Sequence, residues 1–247
     1  MADDIKINLG CGSDGIDGWV NIDNDFKLKV SSNPVLRFVA IGLKRLGVLN
    51  LTVDLMPKVP PNLMFIDLSK AKSLPFESGT VKYCFLSHFI EHMPRKNGIS
   101  ILKEVHRVLK KGGVVRVVTP DLSRYAEEFI NYERRPTAKT KRFWNEVYAG
   151  LDTPVEKFNS LFSKVSDSEL NDIGLKSWPL KWLKRRLSSD VGHQWLYDYM
   201  ELSFVLKSAG FKRVTRLDFR RGTVPDLDRL ETRRGVDENM FVEAIKL

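Results

Sequence analysis

Cysteine is scarce in this 247-residue sequence, histidine nearly so, and long apolar runs are missing altogether. Each scarcity removes a class of protein. The two cysteines are Cys11, in a glycine-rich stretch, and Cys84, in an apolar run, so neither a disulfide framework nor a cysteine-built zinc cluster fits, and both thiols are expected to be reduced. No run approaches the roughly 20 apolar residues needed to cross a bilayer. Residues 1–12 lack the basic and then apolar regions of a secretory signal, which predicts a cytoplasmic protein. There is no internal repeat and no low-complexity tract.

Basic charge is plentiful. With 40 Lys and Arg against 31 Asp and Glu the formal net charge is +9, which favours anionic partners such as nucleic acid, acidic lipid headgroups or phosphorylated glycans. Charge alone does not choose among them, and a solvated basic surface explains any one cluster equally well. Hydrophobic residues at 43% and charged residues at 29% are ordinary globular usage and exclude wholesale disorder. The length predicts one domain spanning 1–247 with insertions, rather than two independent units.

Short apolar runs alternate with helical periodicity, the pattern of a parallel sheet covered on both faces, so the predicted fold class is α/β and doubly wound. Predicted strands are Ile5 to Leu9, Trp19 to Ile22, Met64 to Ile66, Tyr83 to Leu86 and Val114 to Val118. Two more, Arg213 to Phe219 and Met240 to Ile245, are expected as neighbours at one sheet edge. Predicted helices run from Gly98 to Lys110, from about Leu122 to Tyr132 and from about Tyr199 to Ala209. Two stretches do not fit the alternation and are expected as helical, basic insertions, at about 27–62 and about 137–190.

The first strand ends in Gly10-Cys11-Gly12, with Gly15 beyond, and glycine there lets backbone approach a ligand closely. A tight structural turn uses the same glycines. Eleven residues past Gly12, Asp23 ends the second strand, where an acid accepts hydrogen bonds from ribose hydroxyls. A dinucleotide site expects a full helix and an acid about 20 residues on; the short gap here disfavours a nicotinamide enzyme and leaves little chain for the first crossover. Asp67, after the third strand, could accept from an adenine amino group with Leu68 packing beside it, or simply cap a turn.

These residues belong to a series. Asn8 to Gly12, Gly18 to Asp23, Leu74-Pro75-Phe76, Ser87-His88 through Glu91-His92, and Arg107 to Gly113 resemble, in order and spacing, the successive motifs of class I S-adenosylmethionine-dependent methyltransferases. More narrowly, the short first loop, Thr119-Pro120-Asp121-Leu122, and His193-Gln194-Trp195 with Tyr197 resemble the small methyltransferases linked to cell-surface polysaccharide (lipopolysaccharide and O-antigen) biosynthesis. The resemblance covers the chain except its two insertions. It implies a Rossmann-like sheet of seven strands with the last antiparallel, and S-adenosyl-L-methionine as cofactor. Gly10, Cys11 and Gly12 would then pass beside the methionine part, Asp23 hold the ribose, Asp67 and Leu68 frame adenine, and Ser87 and His88 flank the sulfonium. Asn8 stands where many members have an acid, and supplies no counter-charge.

The implied reaction is methyl transfer to an oxygen of a sugar or lipid-linked glycan. A hydroxyl acceptor needs a base, for which His193 leads and Asp121 follows. Either has a structural alternative, as a packing histidine and a helix N-cap. His88 and His92 lack the H-E-x-x-H order, so no catalytic metal is expected. The Trp- and Lys/Arg-rich segment 177–187 could lie on an anionic membrane surface, making the protein peripheral at the inner membrane face, or fold back as a lid. Competing functions are an RNA or DNA methyltransferase, although no nucleic-acid module is recognisable, and a non-catalytic cofactor-binding scaffold.

Overall fold

The computed structural model describes residues 4–45, 57–68, 73–134, 137–147, 192–231 and 236–247. The segment 177–187 lies outside them, as does most of the second predicted insertion. Strands β1 (Ile5–Leu9), β2 (Val20–Asp23), β3 (Leu63–Phe65), β4 (Val81–Ser87), β5 (Leu109–Pro120), β6 (Lys212–Leu217) and β7 (Asn239–Ile245) form one sheet in the order β3-β2-β1-β4-β5-β7-β6. β7 runs antiparallel to both of its neighbours, and the pairings from β3 to β5 are parallel. This is the seven-stranded Rossmann-like arrangement expected from the sequence, with the topological reversal at β1 between β2 and β4.

The helices follow from periodicity and are stopped by identifiable groups. α3 (Arg95–Val108) buries Ile101, Leu102, Val105 and Val108. It starts three residues earlier than predicted: Pro94 provides the cap, and Gly98 is inside the helix, where a Cβ would meet the Tyr197 hydroxyl at 2.8 Å. The glycine permits close packing and does not mark a start. The carbonyls of the last turn accept from Gly79 and Thr80 N–H, and Lys246 Nζ donates to those of Arg107 and Leu109, so β5 begins at once. α1 (Phe26–Ser32) and α2 (Pro34–Arg45) occupy the start of the first predicted insertion; α4 (Leu122–Arg134), α5 (Ala138–Val147), α6 (Tyr199–Ser208) and the short α7 (Leu227–Leu230) complete the described helices.

The strand period of two divides the core. On one face Ile7, Leu9, Cys84, Leu86, Val115, Val117 and Val242 pack with α3 and with Leu202, Val205 and Leu206 of α6. On the other, Phe85, Val114, Val118 and Phe241 pack with Trp19, Val224, Leu227 and Leu230. Arg116 shares that second face fully buried, bonded through Nε to Glu231 at 2.7 Å and through its other nitrogens to the Arg221 and Asp218 carbonyls.

Two of the sequence motifs prove to be one staple. Arg107 donates to the carbonyls of Leu74 and Phe76, and Glu104, paired with Arg107, accepts from Leu74 N–H at 3.0 Å. Leu74-Pro75-Phe76 and the end of α3 are therefore a scaffold contact on the approach to β4.

Candidate active site at the carboxyl ends of the strands

β1 and β2 are parallel neighbours joined by residues 10–19 without a helix, and Ile7, Asn8 and Leu9 stand against Val20, Asn21 and Ile22. What makes so short a crossover feasible is a set of side-chain bonds. Asn21 is fully buried and donates through Nδ2 to the carbonyls of Ile16, Trp19 and Pro61. Trp19 is buried and donates to Asp226 Oδ2 at 2.9 Å. Gly15 is tight, since a Cβ there would sit 2.6 Å from the Asn21 side chain and from Pro60.

The glycine loop and Asp23 meet on one side of the sheet. Gly10 and Cys11 N–H both donate to the Ile22 carbonyl, and Gly12 N–H donates to Asp23 Oδ2 at 2.7 Å. Asp23 Oδ1 accepts from the N–H groups of Asn24 and Asp25, each at 2.7 Å. The carboxylate is thus fixed by three backbone donors, and Oδ2, which accepts one of them, keeps lone-pair capacity for a further donor such as a ribose hydroxyl. Gly10 and Gly12 both have positive φ, 69° and 51°. They differ in what they face: a Cβ on Gly10 would overlap the Phe89 ring, whereas one on Gly12 would meet no atom of the described residues within 4 Å. Open space therefore lies beside Gly12, next to the Asp23 carboxylate. Cys11 is buried, and desolvation followed by the nearby Asp23 charge pushes its thiol up to about 12. Its Sγ lies 3.4 Å from the Gly12 carbonyl, within the loop.

The remaining residues named from the sequence fall into place unevenly. Asn8 is buried in β1, with its Nδ2 directed at Asn21 Oδ1, 3.4 Å away, so its described bond is within the sheet. Asp67 follows β3, half-buried, with Leu68 buried in the main core. Ser87 ends β4 opposite Val118. His88 follows with φ 47°, its N–H held by the Val118 carbonyl and its Nε2 3.0 Å from Asn239 Nδ2. Asp121 is 2% exposed; Oδ1 accepts from Ser123 N–H at the start of α4, and Oδ2 pairs with Arg216 at 2.6 Å. That geometry is the N-cap alternative, strengthened by an ion pair to β6.

A carboxylate that the sequence offered only as a member of the Ser87 to His92 motif, without the H-E-x-x-H order, stands among three histidines. Glu91, in the 3-10 turn Ile90–His92, has no exposed surface. Its Oε2 accepts from Thr119 Oγ1 at 3.2 Å, and its Oε1 is 3.3 Å from His88 Nδ1. The segment carrying His193 is bonded onto this turn: Gln194 and Trp195 N–H donate to the Glu91 carbonyl, and Gln194 Nε2 donates to the His92 carbonyl at 2.8 Å. The His92 and His193 rings consequently stand 5.1 Å apart. Burial opposes ionisation of Glu91, but the bond to His88 and the proximity of His88 and His92 outweigh it, so its pKa lies below the ordinary carboxylate value.

A family model described as a methyltransferase domain matches residues 49–117. The match takes in β3, β4, α3 and most of β5, and leaves the glycine loop and Asp23 outside. Among solved structures, a SAM-dependent methyltransferase from Methanosarcina mazei is similar at 18% identity over 100% of this chain and 94% of that one, with a TM-score of 0.42. Others from Archaeoglobus fulgidus (12%, 99% and 87%, 0.45) and Thermotoga maritima (14%, 100% and 84%, 0.42) are also similar. No curated protein matches the chain.

Proposed function

We propose that the protein is an S-adenosylmethionine-dependent methyltransferase that methylates a hydroxyl of a sugar or lipid-linked glycan of the cell envelope. The observation that carries the cofactor half is the bond from Gly12 N–H to Asp23, with open space beside Gly12, at the reversal point of the sheet. When bound, S-adenosylmethionine supplies an electrophilic methyl on a sulfonium. The chain's part is to hold, orient and dry the reactants. Asp23, pre-set by three backbone N–H groups, accepts from ribose hydroxyls. The loop at Gly10 to Gly12 gives close backbone approach, and Asp67 with Leu68 lines the adenine side. Ser87 and His88, at the end of β4, face the reacting end. The proton of the acceptor hydroxyl passes to the histidine–carboxylate cluster around Glu91, in which His193 sits partly exposed.

Support for an anionic, amphiphilic acceptor comes from α1 and α2. Residues 26–45 contain five basic residues and no acidic one; Lys27 is buried, and Arg37 and Arg45 are exposed together with Val35, Phe38 and Val39. Such a surface suits a phosphorylated lipid carrier and its interface.

Two measurements test this reading. Calorimetry with S-adenosylhomocysteine should give one site per chain, weakened at least about tenfold in Asp23→Ala, which loses charge-assisted bonds worth roughly 1.5–3 kcal/mol. Incubation with methyl-labelled donor and fractionated cell lipids, glycans and RNA should place label in the lipid or glycan fraction. Label in RNA alone would transfer the activity to nucleic acid; donor-product binding with no labelled fraction would favour a scaffold.

A further inference from the structure

Three of the four histidines in the sequence gather around one buried carboxylate, although His193 is 102 residues from Glu91 in the chain. From this convergence we infer that Glu91, His92 and His193 form a binding site for a divalent transition-metal ion. One ligand atom from each of the three lies within 4.8 Å of the others. Two imidazoles and a carboxylate are a donor set suited to zinc and its first-row neighbours, and three protein ligands leave a coordination position for water or substrate.

The surroundings are built as a metal site requires. A fully buried carboxylate is costly unless compensated, and a bound cation is a compensation stronger than neutral imidazoles. The Thr119 hydroxyl holds Oε2, and Oε1 faces His88 Nδ1 at 3.3 Å, so the carboxylate that would hold the ion is fixed by its neighbours. Gln194 ties both sides together, with its N–H on the Glu91 carbonyl and its Nε2 on the His92 carbonyl, so the ligand from the late segment is fixed against the two from the 3-10 turn. The spread of up to 4.8 Å exceeds the roughly 3.4 Å subtended by two tetrahedral bonds of about 2.0–2.1 Å. Closing that difference takes side-chain shifts of less than about 1 Å per ligand, available to the two half-buried imidazoles.

Metal binding stands on this geometry alone; the ion's task rests on the methyltransferase reading. In that reading an acceptor hydroxyl bound to the ion would be acidified, as metal-bound water is, and would lose its proton to solvent, with His193 a ligand in place of a free base.

The test uses full-length protein stripped with a chelator and titrated with Zn²⁺ by calorimetry and with Co²⁺ by visible absorption. The expected result is one ion per chain, a Co²⁺ spectrum of low coordination number, and affinity at least about tenfold weaker in His193→Gln and His92→Gln. His106→Gln, whose ring packs on Phe211 away from the cluster, should bind like wild type. X-ray absorption on zinc-loaded wild type, which needs no variant to fold, should show two imidazoles in the first shell. Absence of Zn²⁺ and Co²⁺ binding, equal affinity in wild type and both ligand variants, or an imidazole-free shell would overturn the site. Binding of S-adenosylhomocysteine to the stripped protein is measured in parallel: its failure would count against the methyltransferase reading and leave the metal result to stand or fall independently.

Discussion

Gly10 and Gly12 share a positive φ and a loop, yet the structure assigns them different work, and replacement by alanine should separate the two. Gly10→Ala meets both the left-handed strain, about 1–2 kcal/mol, and the Phe89 ring, whereas Gly12→Ala meets the strain alone. Thermal melts should therefore rank Gly10→Ala well below Gly12→Ala, and Phe89→Ala should recover part of the Gly10→Ala loss. Gly12→Ala should instead reduce S-adenosylhomocysteine affinity, because its methyl enters the space beside Asp23; equal melts for the two variants would contradict the contact geometry. The glycines and Asp23 were legible from the sequence because a strand end, a glycine loop and a following acid are local features. Asn8 was legible as a departure from the family pattern, but its burial against Asn21 was not, since that depends on the register of β1 on β2. Asp121 likewise read two ways until Arg216 on β6 was placed beside it.

Among the elements, β5 and β7 hold the sheet's second face around an unusual core residue. Arg116 is fully buried between Glu231 and Glu243, at 2.7 and 3.8 Å, with its guanidinium 5.4 Å from the Phe241 ring. Removing one member of such a set leaves charge uncompensated, so Arg116→Ala should cost about 3–5 kcal/mol in urea unfolding. Replacement of both partners with apolar residues should cost less than the separate losses would sum to. Arg116 lies within the predicted strand Val114 to Val118, and the loop after β6, which supplies the Arg221 and Asp218 carbonyls, makes its interior position tolerable. Element types were otherwise readable from period. Boundaries moved where a contact overrode composition, as at Gly98, a glycine in mid-helix that lets α3 approach Tyr197.

For the molecule as a whole, the clearest acid-sensitive group outside the site is His106. Burial first, then the charge of Lys246, lowers its pKa from the ordinary 6.5. A depressed folded-state value means the unfolded chain takes up the proton more readily, so the stability His106 contributes is present above about pH 6.5 and is lost as pH falls through the folded value. Denaturation midpoints of wild type should drop between pH 7 and 5 more than those of His106→Gln; parallel slopes would show that the ring is not desolvated as described. No helix among the described residues is long and apolar enough to cross a membrane.

The sequence by itself determined the type of most elements, the seven-stranded plan and the glycine-loop half of the candidate site, because periodicity, glycine loops and strand-end acids act over a few neighbouring residues. Tertiary structure alone decided the other half. An imidazole from residue 193 reaches Glu91 and His92 only because the late segment docks on a turn that follows β4, and no spacing rule along the chain encodes a contact made by packing distant elements across the edge of a sheet.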